Sequence, residues 1–332
     1  MIKRIGIPRA LMFYEYYPLW VSFFEALGVA VLVSEKTNKR ILDEGIKSAV
    51  DEACLPVQLF HGHVMNIKDK VDYLFIPRLK SIHKGEYICP KFCGLPEMIR
   101  HSIAGLPEMI DTEIDMFRSE KELESTFLRI GKYFTTDIRQ IQHAFMTGVE
   151  AYKQYKKRIF QGDLPIDSQC ANEEKNEWKR MAIPDKNVMV MGHPYHLYDT
   201  FMNMNTISKI RECGIDVLTP EMIDSSLINH YAERFDGKLY WTFARRLIGA
   251  AYYLIENQSI DGIIYISTFG CGIDSVVADI IEKQVRRKSN IPFMLLTIDE
   301  HSGEAGINTR IEAFLDMIRW RGRHENHIPA HG

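Results

Sequence analysis

Short apolar runs rich in β-branched residues alternate with longer amphipathic stretches along most of the chain, the pattern of parallel strands joined by crossover helices. Strands in such a sheet are covered by helices on both faces, so they read as continuous apolar runs. They are expected near residues 4–7 (RIGI), 29–33 (VAVLV), 71–76 (VDYLFI), 187–191 (NVMVM), 215–218 (IDVL), 262–266 (GIIYI) and 293–297 (FMLLT), in two groups. Between the groups, Leu123, Phe127, Ile130, Phe134, Ile138 and Ile141 trace a helical pattern, followed by a polar tail from 163 to 184. The expected class is α/β, with two Rossmann-like or flavodoxin-like open parallel-sheet domains joined by a helical segment. The divisions are 1–115, an α/β domain with Cys54, Cys89 and Cys93; 116–185, a helical connector and surface linker; and 186–332, an α/β domain with Cys271.

The 332 residues are 46% hydrophobic, enough apolar material for two cores. A net charge of −3 without a sustained Lys/Arg block argues against a nucleic-acid or anionic-membrane partner. No run approaches the roughly 20 apolar residues that span a bilayer, and MIKRIGIPRAL has no export-type apolar core, so a cytoplasmic location is expected. In that reducing compartment the six cysteines point to metal binding, catalysis, redox chemistry or plain burial, not to disulfides.

In open α/β sheets the ligand crevice lies beyond the carboxyl ends of the strands. Those positions carry Pro8-Arg9, Pro77-Arg78, Gly192-His193-Pro194-Tyr195, Thr268-Phe269-Gly270-Cys271-Gly272 and Asp299-Glu300-His301. Cys54 precedes Leu55-Pro56, Cys89 precedes Pro90, and Cys271 stands in a Gly-Cys-Gly loop before a helical pattern. Proline is tolerated in a first helical turn, so all three cysteines are expected at helix amino termini. Free N–H groups and the helix dipole there favour anionic sulfur, which predicts lowered thiol pKa values. Gly270 and Gly272 would let backbone amides approach a cluster closely. Cys93, one turn beyond Cys89, is a candidate fourth ligand, whereas Cys170 and Cys213 read as bystanders. The spacing matches no compact ferredoxin or zinc pattern and leaves zinc and iron–sulfur both open.

Other residues have two readings each. His193 could donate to a cluster sulfide or protonate a substrate, or simply fix a turn. Glu300 and His301 have the composition of a proton-transfer pair, although successive residues often point apart. Arg9 and Arg78 each follow Ile-Pro, an echo that suggests a shared crevice binding an anion, or else pairing with carboxylates. Arg310 and Glu312 suit an ion pair on the last helix. Phe13, Tyr14, Tyr16, Tyr17 and Trp20 have the spacing of a core helix face but could also wall the site, and His61 and His63 are expected to pack or face solvent.

The stretches IGIPRALMFYEYYPLW (5–20), DEACLPVQLFHGHV (51–64), FIPRLKSIHKGEYICPKFCGLPEMIR (75–100), GHPYHLYD (192–199), DGIIYISTFGCGIDS (261–275) and LLTIDEHSGEAGINTRIEAF (295–314) closely resemble an uncharacterised anaerobe family related to acyl-CoA dehydratase activases. More remotely, the scattered cysteines and two-unit layout resemble the catalytic subunits of 2-hydroxyacyl-CoA dehydratases and benzoyl-CoA reductases. That resemblance implies a 4Fe-4S cluster held by Cys54, Cys89 and Cys271 with one iron open, and Cys93 as an optional fourth ligand. It also implies a partner ATPase of the actin and Hsp70 class that delivers low-potential electrons, and a small-molecule or acyl-CoA substrate. The chain itself lacks a G-x-x-x-x-G-K-[ST] loop and a G-x-G-x-x-G fingerprint, so it does not read as that ATPase. A non-catalytic electron relay or cluster carrier, a zinc-stabilised binding module and a homo-oligomer sharing a cluster all stay open.

Overall fold

The computed structural model describes residues 2–119, 121–165 and 186–325. Its first half runs through β1 (Arg4–Ile7), α1 (Phe13–Ala26), β2 (Ala30–Val33), α2 (Lys39–Ser48), α3 (Leu55–Ile67), β3 (Tyr73–Phe75), β4 (Arg78–Ser81), α4 (Pro90–Ser102), β5 (Glu108–Ile110), β6 (Glu113–Asp115), α5 (Glu122–Gly131) and α6 (Ile138–Phe160). The second half runs through β7 (Asn187–Met191), α7 (Pro194–Tyr198), α8 (Thr206–Glu212), β8 (Asp216–Leu218), α9 (Ser225–Ala232), α10 (Thr242–Asn257), β9 (Gly262–Thr268), α11 (Gly272–Lys288), β10 (Phe293–Ile298) and α12 (Glu304–Glu325).

Each half builds a four-stranded parallel sheet, ordered β2-β1-β3-β5 and β10-β9-β7-β8. Counted along the chain, both sheets run second, first, third, fourth, the flavodoxin-like order, so the switch points lie between β1 and β3 and between β7 and β9. All seven expected strands form. Along β7 the alternation of strand faces divides the core: Val188 and Val190 join the large apolar cluster that runs from the first half into the second, while Met189 and Met191 join a second cluster with Ile263 and Tyr265.

Three strands had no signal in the pattern. At Pro77, which has no N–H to give a ladder, the chain leaves β3 and re-enters pairing as β4, whose partner β6 continues the β3–β5 register through Arg78 N to Thr112 O. Pro77-Arg78 is therefore the start of a further strand and not a loop at the sheet edge. The expected connector is helical, and α6 also packs along α1. Trp20 of α1 stacks on Phe127 of α5 at 4.7 Å and 6°.

A buried ionic joint links the halves: Arg246 of α10 contacts Glu15 of α1 at 3.1 Å and Glu221 at 3.4 Å, and Lys156 of α6 reaches Glu15 at 3.2 Å. Burial alone would raise the Glu15 carboxyl, but Arg246 and Lys156 outweigh it and hold it well below the usual carboxylate range. Among the described residues, no helix is long and apolar enough to cross a membrane.

Candidate metal centre at the facing sheet edges

Cys54 is the N-cap of α3, Cys89 of α4 and Cys271 of α11, as the flanking prolines and glycines led one to expect. All three helices are crossovers that start at the carboxyl edges of their sheets, so the topology brings together sulfurs far apart in sequence. Gly270, at φ +78°, packs against Cys54: a Cβ added there would lie 3.7 Å from the Cys54 Cα. Cys54, Cys89 and Cys271 are close enough for their charges to repel one another.

The thiols do not titrate as helix termini alone predict. Burial pushes the Cys89 thiol up, and Cys54 adds to the rise, although the Lys91 N–H donates to the sulfur. Burial likewise raises Cys271 well above an ordinary thiol, followed by repulsion from Asp274, Cys54 and Cys89, and the Asp274 N–H offsets only part of this. The helix-start N–H groups are present, but desolvation and crowded negative charge win. Bare, the Cys89 and Cys271 sulfurs are thiols; a metal core that binds them must displace their protons.

Cys93 sits elsewhere on α4. The Arg78 Nη1 donates to its carbonyl at 2.8 Å, and Arg78 and Lys80 are its charged neighbours. Cys213 caps α8, where its carbonyl accepts from Arg319. Cys170 lies outside the described residues.

Behind Cys271 lies a group whose key members sequence reasoning passed over. His193 Nε2 stands 3.0 Å from Asp274 Oδ1, and His196 Nδ1 stands 3.4 Å from Asp274 Oδ2. All three side chains are at most 2% exposed. Tyr265 donates to Asp274 Oδ1 at 2.8 Å, and Thr268 lies 3.3 Å from His196 Nε2. Burial lowers the His196 imidazole to about 3 against the pull of Asp274, so the ring is neutral. For Asp274 burial acts upward, and the His193 and His196 rings with the Tyr265 hydroxyl hold it down at about 2. Two signals were available: the i, i+3 spacing of His193, the N-cap of the short helix α7, and His196 within it, and an Asp in the first turn of α11, three residues after Cys271.

Tyr195 closes the site. Its ring stacks on His193 (5.0 Å, 13°) and meets Phe92 at 6.2 Å. Burial, then the charges of Cys271, Asp274, Cys54 and Cys89, keep its hydroxyl protonated.

The remaining expected residues disperse. Arg78 is bound to Glu97 at 2.6 Å, the carboxylate pairing that its sequence also allowed. Arg9 lies over Phe13, with its Nε buried and without a hydrogen-bond partner. Gly272 opens α11 and faces free space. Glu300 and His301 stand 3.9 Å apart on a surface turn, with the His301 side chain 87% exposed. Arg310 donates to the Leu295 carbonyl at 2.5 Å and so is engaged away from Glu312. His61 and His63 are both fully buried; His63 bridges Ser34 (2.8 Å) and Thr37 (3.0 Å), and Thr37 donates to Asp199 of the second half at 2.6 Å. Of the α1 aromatics, Phe13, Tyr16, Tyr17 and Trp20 serve the core and also line an apolar cavity of about 310 Å³.

Fold and site together define an α/β protein of two like-ordered parallel sheets whose Cys, His and Asp side chains gather where the carboxyl edges meet. The chain belongs to an activase-related, 2-hydroxyacyl-CoA dehydratase-like family: residues 4–223 match the CoA enzyme activase uncharacterised domain, and residues 140–318 match the 2-hydroxyglutaryl-CoA dehydratase D-component, each more than half of the chain. No curated protein matches it. Among solved structures, the periplasmic zinc binding protein TroA from Treponema pallidum aligns over 96% of this chain and 98% of that one, at 7% identity and a TM-score of 0.28, which carries no argument.

Proposed function

We propose that Cys54, Cys89 and Cys271 hold a 4Fe-4S cluster for low-potential redox chemistry, with electrons supplied by a separate ATP-hydrolysing activase and a small molecule or acyl-CoA as substrate. The observation that carries this reading is the convergence of three sulfurs from distant sequence positions on three crossover-helix starts at facing sheet edges. When bound, such a cluster supplies one-electron transfer and, with three protein ligands, an iron open to a small ligand.

The chain's own residues prepare that position. Backbone N–H groups of Lys91 and Asp274 donate to Cys89 and Cys271, Gly270 lets the loop approach Cys54, and Tyr195 with Phe92 excludes water. Mononuclear zinc at these cysteines is disfavoured: Zn–S bonds of about 2.3 Å put the sulfurs within about 4 Å of one another. Among the described residues, the only three His, Cys, Asp or Glu ligand atoms within 4.8 Å of one another belong to His193, His196 and Asp274. The neighbourhood of Cys93, beside Arg78 and Lys80, favours three ligands over four and a catalyst over a relay.

Anaerobic purification with iron, sulfide and zinc analysis tests the reading. Cys54→Ser, Cys89→Ser and Cys271→Ser should each lose iron and sulfide together, while Cys93→Ser retains both and its reduced-state paramagnetic spectrum. Because protons must leave the raised Cys89 and Cys271 thiols, cluster incorporation should weaken as pH falls. Equal loss in all four variants would reject the open iron, and a colourless protein with zinc on these cysteines would end the redox reading.

A further inference from the structure

We propose that His193, His196 and Asp274 form a second, mononuclear metal site for a zinc-class divalent cation, distinct from the cysteine triangle. Each buried polar atom needs a partner, and those without one call for an explanation. Here three fall together: His193 Nε2 faces Asp274 Oδ1 at 3.0 Å and His196 Nδ1 faces Asp274 Oδ2 at 3.4 Å, yet these buried atoms and Oδ2 are not in well-aligned hydrogen-bond geometry. Their ligand atoms lie within 4.8 Å of one another, so a small contraction brings all three to bonding distance of one ion, about 2.0–2.2 Å.

The donor set selects the ion. Two imidazole nitrogens with one carboxylate oxygen suit zinc and its first-row neighbours, whereas calcium and magnesium favour all-oxygen shells. The groups behind the ligands fit as well. Tyr265 orients Asp274 through Oδ1, leaving Oδ2 to bond, and Thr268 stands beside His196 Nε2, leaving Nδ1 to bond. The rings of Tyr195 and Phe243 pack on His193 and shield the site from water. Its charge is also well placed, because Asp274 repels the sulfurs of Cys271 and Cys89 while a divalent cation in its grasp reverses the sign of that field.

The test separates this site from the cluster by removing the cysteines. A Cys54→Ser, Cys89→Ser, Cys271→Ser triple variant of the full chain should keep one equivalent of divalent metal by elemental analysis, and adding His196→Gln or Asp274→Asn should remove it. Tyr265→Phe should weaken Co²⁺ binding by about 10- to 100-fold. Cobalt added to the metal-stripped, unsubstituted chain should give ligand-field bands without thiolate-to-cobalt charge transfer from this site, a readout that holds even where His196→Gln fails to fold. Metal absent from the triple variant together with no cobalt uptake overturns the site, as does uptake that His196→Gln leaves unchanged or that carries thiolate charge transfer alone. The metal content of the triple variant does not depend on whether the cysteines hold a cluster.

Discussion

The two sheets share one strand order yet fill their switch-point crevices in opposite ways. Beyond β1 and β3, Pro8, Phe13, Trp20, Phe75 and Pro77 enclose apolar space. Beyond β7 and β9, the starts of α7 and α11 carry His193, His196, Cys271 and Asp274, most of them buried. The parallel fold delivers two equivalent crevices, and the sequence makes one a hydrophobic chamber and the other a cluster of thiol, imidazole and carboxylate groups. Cys54 and Cys89 then come from helix starts of the first half to meet Cys271 of the second. A site assembled this way depends on the joint between the halves at least as much as on either sheet.

Breaking that joint should produce the largest effect. Arg246→Met leaves Glu15 buried beside Lys156 alone, and losing one partner of a buried ion pair costs about 3–5 kcal/mol, read as a shift of the urea midpoint. Adding Glu15→Gln to Arg246→Met should recover only the part of the loss due to Glu15, because Glu221, the second buried carboxylate on Arg246, then keeps only its Tyr198 bond. The sign with pH follows from the lowered Glu15 value. In the native chain, ionised Glu15 stabilises the fold above about pH 4, and the contribution fades as pH falls toward the lowered folded value. Without Arg246 the buried carboxyl prefers its proton, so the deficit of the variant should shrink in acid. A deficit that stays constant from neutral pH to pH 4 would mean that the joint acts through packing.

A smaller effect should separate two glycines of one loop. Gly270 holds φ +78°, a region that costs an L-residue about 1–2 kcal/mol, although a Cβ there meets Cys54 only at van der Waals distance. Gly272 begins α11 with open space around it, so Gly272→Ala should change stability by less than about 0.5 kcal/mol. If Gly270→Ala proves as silent as Gly272→Ala under thermal or urea unfolding, the loop relaxes freely and does not fix Cys54 against Cys271.

The same contrast explains what could be read in advance. Parallel strands such as GIIYI announce themselves because burial on both faces makes them continuously apolar, and proline after cysteine announces a helix start. The strands RLKS, EMI and EID are three or four residues long and carry charges; EMI forms because it pairs with β3, and RLKS and EID continue that register as a pair of their own. Thiol titration was unreadable for a related reason: a helix terminus is a local property, whereas Cys89 and Cys271 are raised by burial in the fold and by charges from other segments, Cys54 among them. His196 and Asp274 become a pair only through the β7–β9 adjacency. Arg9 and Arg78 share an Ile-Pro-Arg echo, but one follows a central strand and the other starts a new one.

That echo supplies the smallest predicted effect. Arg78 is partly exposed, as is its partner Glu97, and such pairs contribute up to about 1 kcal/mol and less in high salt. Arg78→Gln should therefore lower stability by that amount at most, with the difference shrinking as salt rises, and leave iron content unchanged. Its second bond, to the Cys93 carbonyl, ties β4 to the first turn of α4, the helix that Cys89 caps. Should Arg78→Gln cost more than about 2 kcal/mol and also reduce iron, that carbonyl contact rather than the surface ion pair is what holds α4, and the aromatic half of the molecule positions Cys89 more directly than the ion-pair geometry implies.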